Sequence, residues 1–191
     1  MTSRRRCRGS PSDAAAPSGG MVPRQTRMQL LTFSIAGEPY AIEARLVIEV
    51  LPLVPARPIP QVPDYVLGIF TYRGDLVPLI DLGRLIGAGP PTQRLSTRVI
   101  VVEFHPLRSA AITAAAVRLG LVAENVISIR GAEEADASLP HLQLVTAPYL
   151  GQVLRIGGGT VQLIDLARLL PPDLLDGLCP PTPAGPAEGR S

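Results

Sequence analysis

The chain has 191 residues, of which 46% are hydrophobic and 18% charged, with 21 prolines, two cysteines and a formal net charge of +2. This composition fits one globular unit or two small ones, and it excludes a chain that is disordered throughout. The longest apolar runs are far shorter than the roughly 18 residues that span a bilayer, so direct membrane insertion is not expected.

The basic charge is concentrated in the first 27 residues. That segment holds six arginines and one acidic residue, whereas residues 28–170 hold 11 arginines and 12 acidic residues. The segment is rich in Arg, Ser, Pro, Ala and Gly and has no apolar run that could form the core of a secretory signal, which predicts a disordered leader and a cytoplasmic protein. Cys7 and Cys179 lie one in each tail, so neither a disulfide framework nor a zinc site is expected.

Short β-strands dominate the predicted secondary structure. In chain order, β-branched or alternating apolar runs mark strands at residues 30–35, 98–104 and 117–122. Glycines mark hairpin turns at Gly37-Glu38, at Arg73-Gly74-Asp75 and at Gly157-Gly158-Gly159. Helices are expected to be few and short, at residues 44–47, 81–86, 165–169 and 173–178. Frequent short strands of this kind favour small closed β-barrels, so the predicted fold class is all-β.

An internal repeat relates the two halves of the chain. Residues 76–85, LVPLIDLGRL, recur 84 positions later as residues 160–169, TVQLIDLARL, with seven of the ten positions identical. A tyrosine and a glycine precede each copy: Tyr65 and Gly68 in the first, Tyr149 and Gly151 in the second. A weaker echo relates residues 41–50 to residues 120–129. Two halves built on one plan are therefore expected.

No combination of residues indicates catalysis, a metal site or a cofactor. His105 and His141 have no cysteine, second histidine or carboxylate at ligand spacing, and the glycine run at residues 157–159 lacks the lysine and serine or threonine of a phosphate-binding loop. Asp81 and Asp165 could form a pair of catalytic carboxylates, but each precedes a Leu-x-Arg-Leu turn, which fits a helix N-cap better. No Gly-x-Ser-x-Gly elbow is present either, so an enzyme is not expected.

One ordered set of motifs resembles a known family. Gly68, Tyr72-Arg73-Gly74 and the segment VPLIDL at residues 77–82 resemble the signature of the CheW family, the scaffold proteins of bacterial chemosensory arrays. Residues 33–51 are similar to the opening hairpin of that family, and the resemblance covers about residues 28–170. Tyr72, where a leucine is more usual, together with the segment LSTR at residues 95–98, looks closest to adaptors of Wsp-type surface-sensing pathways. Extra residues at 106–116 depart from the family pattern and would lengthen a hairpin of the second half.

The resemblance implies a fold and a role. Residues 28–170 would form two intertwined five-stranded SH3-like β-barrels, between a disordered Arg-rich leader at residues 1–27 and a short helical turn with a disordered Pro-rich tail at residues 171–191. The protein would be a non-catalytic adaptor, without a cofactor, that couples the cytoplasmic hairpin of a chemoreceptor to the regulatory domain of a CheA-type histidine kinase. It would be recruited from the cytoplasm to the receptor array at the inner membrane, and nucleic acid would not be a partner.

Seven residues are candidates for the receptor-binding groove that the resemblance implies. Arg73 would donate to an acidic or carbonyl-rich partner surface and Glu49 would lie at the same groove, although each could equally be a solvated surface residue. Val47 and Val50 would line the groove or pack in the core. The remaining three could serve either the interface or folding: Gly68, Gly120 and Gly151.

A second class of function stays open at this point. The chain could be a small β-barrel module that binds nucleic acid through its Arg-rich leader. The four tyrosines and three phenylalanines are spread through apolar stretches instead of standing beside basic residues, which counts against the stacking surface that single-strand binders use.

Overall fold

Nine β-strands, two short α-helices and two 3-10 turns make up the part of the chain that the structure describes. This computed structural model describes residues 28–89, 96–106, 116–132, 146–156 and 158–178. The strands are β1 (Met28–Ile35), β2 (Glu38–Glu43), β3 (Val47–Pro52), β4 (Val66–Tyr72), β5 (Asp75–Asp81), β6 (Arg98–Phe104), β7 (Val117–Ala132), β8 (Leu150–Ile156) and β9 (Gly159–Ile164). The helices are α1 (Leu82–Leu85) and α2 (Pro172–Leu178), and the 3-10 turns are Ala44–Leu46 and Leu166–Arg168. The predicted all-β class is confirmed.

The strands form two five-stranded sheets that share β7. The strand order in sheet 1 is β7–β1–β2–β9–β8, and in sheet 2 it is β3–β6–β7–β5–β4. The first part of β7, residues 117–123, pairs with β6, whereas the part from Glu124 onward pairs with β1. Each sheet contains one parallel pair in the same place, β2 with β9 and β5 with β7. The two sheets therefore follow one plan, as the internal repeat predicts.

Each half of the chain contributes strands to both sheets. The first half gives β1 and β2 to sheet 1 but β3, β4 and β5 to sheet 2. The second half gives β6 and the start of β7 to sheet 2, and the rest of β7 with β8 and β9 to sheet 1. The prediction of two intertwined five-stranded units is therefore confirmed.

The prediction of closed barrels is wrong in one respect. Within the described residues, no hydrogen-bonded ladder joins β3 to β4 or β7 to β8, so both sheets stay open along one side. In sheet 2 the gap is spanned only by an isolated bridge, in which the backbone N–H groups of Arg57 and Ile69 each donate to the other's carbonyl oxygen at 2.8 and 2.9 Å. Prolines recur through residues 52–63 and lack the N–H that a continuing ladder requires.

Three apolar clusters form the core, and alternating strand residues feed different clusters. On β6, Ile100, Val102 and Phe104 enter a large central cluster shared by both sheets, whereas Val99 and Val101 enter a smaller cluster inside sheet 2. A third cluster lies inside sheet 1 and contains Leu30, Ala41, Leu154 and Val161. Because successive side chains of a strand point to opposite faces, one strand can serve two clusters. The central cluster joins the two sheets into one unit.

The strand predicted at residues 117–122 extends ten residues further than expected. Its pattern breaks at Glu124 and Asn125, where the chain passes from sheet 2 to sheet 1. Asn125 has a φ of +46°, and the pairing with β1 shifts register there, as in a β-bulge. The break in apolar alternation therefore marks a crossing between sheets, not the end of a strand.

The helices lie close to their predicted positions, with one consequence for the domain boundary. Residues 44–46 form only a 3-10 turn and Val47 already begins β3, whereas α2 begins at Pro172 and its Leu175 is buried in the central cluster. The folded part thus reaches Leu178, past the boundary expected at residue 170. The leader at residues 1–27, both cysteines, His141 and most of the extra segment at 106–116 lie outside the described residues, and the expectations for them remain predictions.

Candidate partner-binding site

Charged and aromatic side chains gather at the tip of the β4–β5 hairpin. The turn is made by Arg73 and Gly74, whose φ values of +52° and +93° give the twist that a two-residue hairpin needs. Arg73 is a non-glycine residue in a left-handed conformation, which is normally unfavourable for such a side chain. We call the group around this tip the hairpin rim; it consists of Glu49, Tyr72, Arg73, Asp75, Glu103 and Arg118.

Glu49 on β3 is the acceptor at the centre of the rim. The Tyr72 hydroxyl donates to Glu49 Oε2 at 2.8 Å, and Arg73 Nη2 donates to the same oxygen at 3.0 Å. The Arg73 guanidinium also lies over the Tyr72 ring, 5.2 Å from its centroid. The two charged residues predicted to bind a partner therefore contact each other across 24 positions of sequence. The Arg73 side chain is 69% exposed and that of Glu49 is 39% exposed, so a partner can still reach both.

The hydrogen bonds at the rim shift the ionisation of their members. The Tyr72 hydrogen bond, together with Arg73, lowers the pKa of the Glu49 carboxyl. Burial, together with the hydrogen bond to Glu49, raises the pKa of the Tyr72 phenol. Glu49 is therefore held as a carboxylate and Tyr72 as a neutral donor.

Arg118 on β7 connects the hairpin to the strands beside it. Its Nε donates to Glu103 Oε2 and its Nη1 to Asp75 Oδ2, both at 2.8 Å. Glu103 stands directly opposite Arg118 in the β6–β7 register. These two contacts raise the pKa of the Arg118 guanidinium, mainly through the hydrogen bond with Glu103. Sequence reasoning missed all three of these residues, because only the strand pairing brings them together.

Strand β3 exposes apolar side chains on both sides of Glu49 in the sequence. Glu49 pairs with Val101 and Val50 with Ile100, so the side chains of Glu49 and Val50 point to opposite faces of the strand. Ile48 and Val50 are 39% and 38% exposed, and Leu53 just beyond the strand is also exposed. Val47, expected either to line the groove or to pack in the core, packs against the central cluster. A register shift between Val47 and Glu49 places Val47 opposite Val102 and Val50 opposite Ile100, so both valines lie on the same face of the strand although they are three residues apart. Ile48 and Leu53 were not among the predicted residues, although both lie in the apolar run that contains Val50.

The three predicted glycines lie where packing leaves little or no room for a side chain. A Cβ on Gly68, which has a φ of +135°, would lie 2.1 Å from the carbonyl oxygen of Arg57. A Cβ on Gly120 would lie 2.6 Å from Phe70 Cε1, inside the cluster of sheet 2. A Cβ on Gly151 would lie 3.2 Å from the carbonyl oxygen of Leu163, which is tight but not impossible. Gly68 and Gly120 are thus needed for folding, and an interface role for any of the three remains a prediction.

Asp81 and Asp165 cap helical turns, as the repeat predicts. Asp81 Oδ1 accepts the backbone N–H of Arg84 at 3.1 Å, and Asp165 Oδ1 accepts that of Ala167 at 3.0 Å. Each aspartate is also paired with the arginine three residues later, with Nε 3.3 Å from Oδ2 in both copies. They therefore serve as N-caps in separate sheets and do not form a catalytic pair.

No metal site or membrane-spanning helix emerges from the described residues. His105 lies exposed just after β6. Across residues 28–178, excluding the undescribed gaps, no group of three or more His, Cys, Asp or Glu side chains could hold a metal ion. The same part of the chain contains no helix that is long and apolar enough to cross a bilayer.

The chain is similar to known CheW proteins. Residues 29–172 match the family model described as CheW-like domain. The chemotaxis protein CheW of Treponema pallidum is 26% identical over 155 residues, which cover 78% of this chain and 85% of that protein. The CheW of Helicobacter pylori is 36% identical over 78 residues, or 41% of this chain, and the alignment spans about half of that relative, 47%.

A solved structure shares the fold. The crystal structure of the scaffolding protein TtCheW from Thermoanaerobacter tengcongensis superposes with a TM-score of 0.62 at 24% sequence identity, covering 78% of this chain and 92% of that one. This likeness supports the assignment of the two sheets as SH3-like β-barrels.

Proposed function

Because the chain belongs to the CheW-like domain family, matched over residues 29–172, we propose that it is a non-catalytic adaptor coupling a chemoreceptor to a histidine kinase. In this proposal it binds the cytoplasmic hairpin of the receptor at the hairpin rim and β3. A separate surface binds the regulatory domain of a CheA-type kinase, in a chemotaxis or surface-sensing array at the inner membrane.

The observation that carries the proposal is that β3 exposes the apolar side chains of Ile48 and Val50 together with Glu49, which is paired with Arg73. A receptor hairpin is a helical coiled coil, whose surface offers apolar side chains flanked by charged and polar ones. Within the described residues β3 pairs only with β6, so such a helix, lying along the free edge of β3, can place apolar residues against Ile48 and Val50 while its polar flank meets Arg73 and Glu49. The apolar contacts would supply most of the affinity, and the charges would fix orientation and register.

The nucleic-acid alternative rests on the leader at residues 1–27, which lies outside the described residues. Within the described part, the rim combines three carboxylates with two arginines, which does not form the basic stripe that a phosphate backbone requires. The adaptor role is therefore the function that we propose.

The test measures the affinities of the full chain for a purified receptor hairpin and for the kinase regulatory domain from the same cell. Arg73→Asn removes the guanidinium while keeping a residue that tolerates positive φ. We expect receptor affinity to fall about tenfold and kinase affinity to change by less than about twofold, since rim contacts reach only one partner. Arg155→Asn, at an exposed arginine on β8 of sheet 1, is the matched control and should change neither affinity.

Apolar contacts are tested in the same assay with another matched pair. Val50→Ser should weaken receptor binding, whereas Ile129→Ser, at the repeat-equivalent position in sheet 1, should not. Equal loss of both affinities in Arg73→Asn, together with a lower Tm, would assign Arg73 to folding. If the unmutated chain bound neither the receptor hairpin nor the kinase domain, the adaptor proposal itself would be overturned.

A further inference from the structure

Tyr72 has its ring in the core and its hydroxyl at the rim. The residue is buried in the cluster of sheet 2 with Phe70, Val77 and Val99. Its hydroxyl nevertheless reaches Glu49 on the neighbouring strand at 2.8 Å. A buried aromatic ring has few ways to move, so the hydroxyl is held at a fixed point.

The fixed Tyr72 hydroxyl determines which oxygen of the Glu49 carboxylate remains available to a partner. Tyr72 and Arg73 both donate to Oε2 of Glu49, while Oε1 has no hydrogen-bond partner among the described residues. Arg73 uses one Nη2 hydrogen for this contact, and its side chain remains largely exposed. One carboxylate oxygen and several guanidinium N–H groups thus remain available side by side for a partner.

Without the Tyr72 hydroxyl, only weak contacts would hold the Glu49 carboxylate and the Arg73 guanidinium in place. Arg73 is in a left-handed conformation and its guanidinium is exposed, and exposed ion pairs between long side chains are loose. The hydroxyl ties the Glu49 carboxylate to the rigid core, and the carboxylate then holds Arg73 over the Tyr72 ring. A leucine at this position would fill space but could not donate.

We propose that Tyr72 is a positioning residue for partner recognition: its hydroxyl orders Glu49 and Arg73 before the receptor hairpin binds. The inference rests on the proposed function and deepens it, because it explains how an exposed charge pair can be specific. Ordering the pair in advance removes part of the entropic cost of binding.

The experiment is Tyr72→Phe in the full chain, which keeps the ring and its contact with Arg73 but removes the hydroxyl. We expect affinity for the purified receptor hairpin to fall about threefold to tenfold, the range that loss of one hydrogen bond gives, with affinity for the kinase domain unchanged. Tyr149→Phe is the matched control: it also removes a tyrosine hydroxyl bond, to the Leu85 carbonyl oxygen, but in the central cluster. It should leave receptor affinity unchanged.

A second readout separates positioning from general structure. Tyr72→Phe should raise the pKa of Glu49, followed by NMR titration of its carboxyl, and should move the acid limit of receptor binding to higher pH by the same amount. The charged groups around Glu49 that could contribute are Arg73, Asp75, Glu103 and Arg118, and all are unchanged in the variant. In a Glu49→Ala background, which removes the acceptor, Tyr72→Phe should have little further effect, because Tyr72 acts through Glu49.

The outcomes distinguish this inference from the proposed function. Receptor binding by the unmutated chain, with undiminished binding by Tyr72→Phe, would overturn the positioning role alone. Weaker binding by Tyr72→Phe with an unchanged Glu49 pKa, or additive losses with Glu49→Ala, would also overturn it, since Tyr72 would then not act through Glu49. Absence of binding by the unmutated chain to receptor and kinase would overturn both proposals.

Discussion

The β4–β5 and β8–β9 hairpins occupy corresponding places in the two sheets but differ at their tips. In both, a tyrosine carbonyl oxygen accepts the N–H of the capping aspartate: Tyr65 from Asp81 at 2.7 Å and Tyr149 from Asp165 at 2.8 Å. The first hairpin carries Tyr72, Arg73 and Asp75 at its tip, whereas the second has Ile156 and a run of three glycines at residues 157–159. Features present in both copies serve folding, and the charged tip belongs to one copy alone. This difference is why we place recognition on sheet 2.

The largest expected effect comes from separating the two copies. A cut between Gly89 and Ser96 leaves β1–β5 in one fragment and β6–β9 in the other, so neither fragment can complete a five-stranded sheet. We expect each fragment alone to show no cooperative thermal transition, and the mixed fragments to regain one, because the central cluster needs side chains from both. Circular dichroism melts of each fragment and of the mixture test this. A fragment that melted alone at the Tm of the whole chain would contradict the intertwined fold.

The next largest effect is a difference in stability between variants of Gly68 and Gly151, the two glycines that follow the repeated tyrosines. Gly68→Ala should lower the free energy of unfolding by about 2–4 kcal/mol, because it combines positive φ with a clash against the Arg57 carbonyl. Gly151→Ala should lower the free energy of unfolding by about 1 kcal/mol or less, since the neighbouring Leu163 carbonyl needs to move by only a few tenths of an ångström. Urea denaturation of the two variants measures the difference. Equal losses would show that the two copies pack alike at this point.

Features local in sequence could be predicted, because they depend on neighbouring residues. The repeat predicted both aspartate caps, and glycine predicted the turn at Arg73-Gly74. The first hairpin is displaced by one residue: its turn is at Ala36 and Gly37, and Glu38 already begins β2. A glycine in the sequence shows roughly where a turn lies. It does not show which two residues occupy the central positions of that turn.

Features that depend on pairing between distant strands could not be predicted. The rim joins residues of β3, β4, β5, β6 and β7, and nothing in the order of the chain shows that Glu49 meets Tyr72. Simple alternation would put Val47 and Val50 on opposite faces of β3, but a register shift between them brings both to the same face. The resemblance to the family supplied Arg73 and Glu49 as candidates, and only the structure shows that they contact each other.

The smallest expected effect is a change of stability with pH. It contrasts the buried carboxylate of Asp81, a cap present in both copies, with that of Glu49 in the hairpin rim. The side chain of Asp81 is 1% exposed, against 39% for the equivalent Asp165. Burial raises the pKa of Asp81 above its ordinary 3.8, despite the backbone hydrogen bonds that favour its ionised form. The hydrogen bond from Tyr72, by contrast, lowers the pKa of Glu49 below its ordinary 4.5.

The two groups should therefore change stability in opposite directions with pH. A group whose pKa is raised on folding binds its proton more tightly in the folded chain, so the contribution of Asp81 is present in full below about pH 3.8 and is lost as pH rises through its folded pKa. The contribution of Glu49 is present above about pH 4.5 and is lost as pH falls through its folded pKa. Asp81→Asn keeps a good capping residue, and Glu49→Gln keeps the size of the side chain. In urea denaturation between pH 3 and pH 7, the stability of the unmutated chain relative to Asp81→Asn should fall with rising pH, and relative to Glu49→Gln it should rise. Parallel curves for the unmutated chain and both variants would show that neither carboxyl differs in pKa between the folded and unfolded chain.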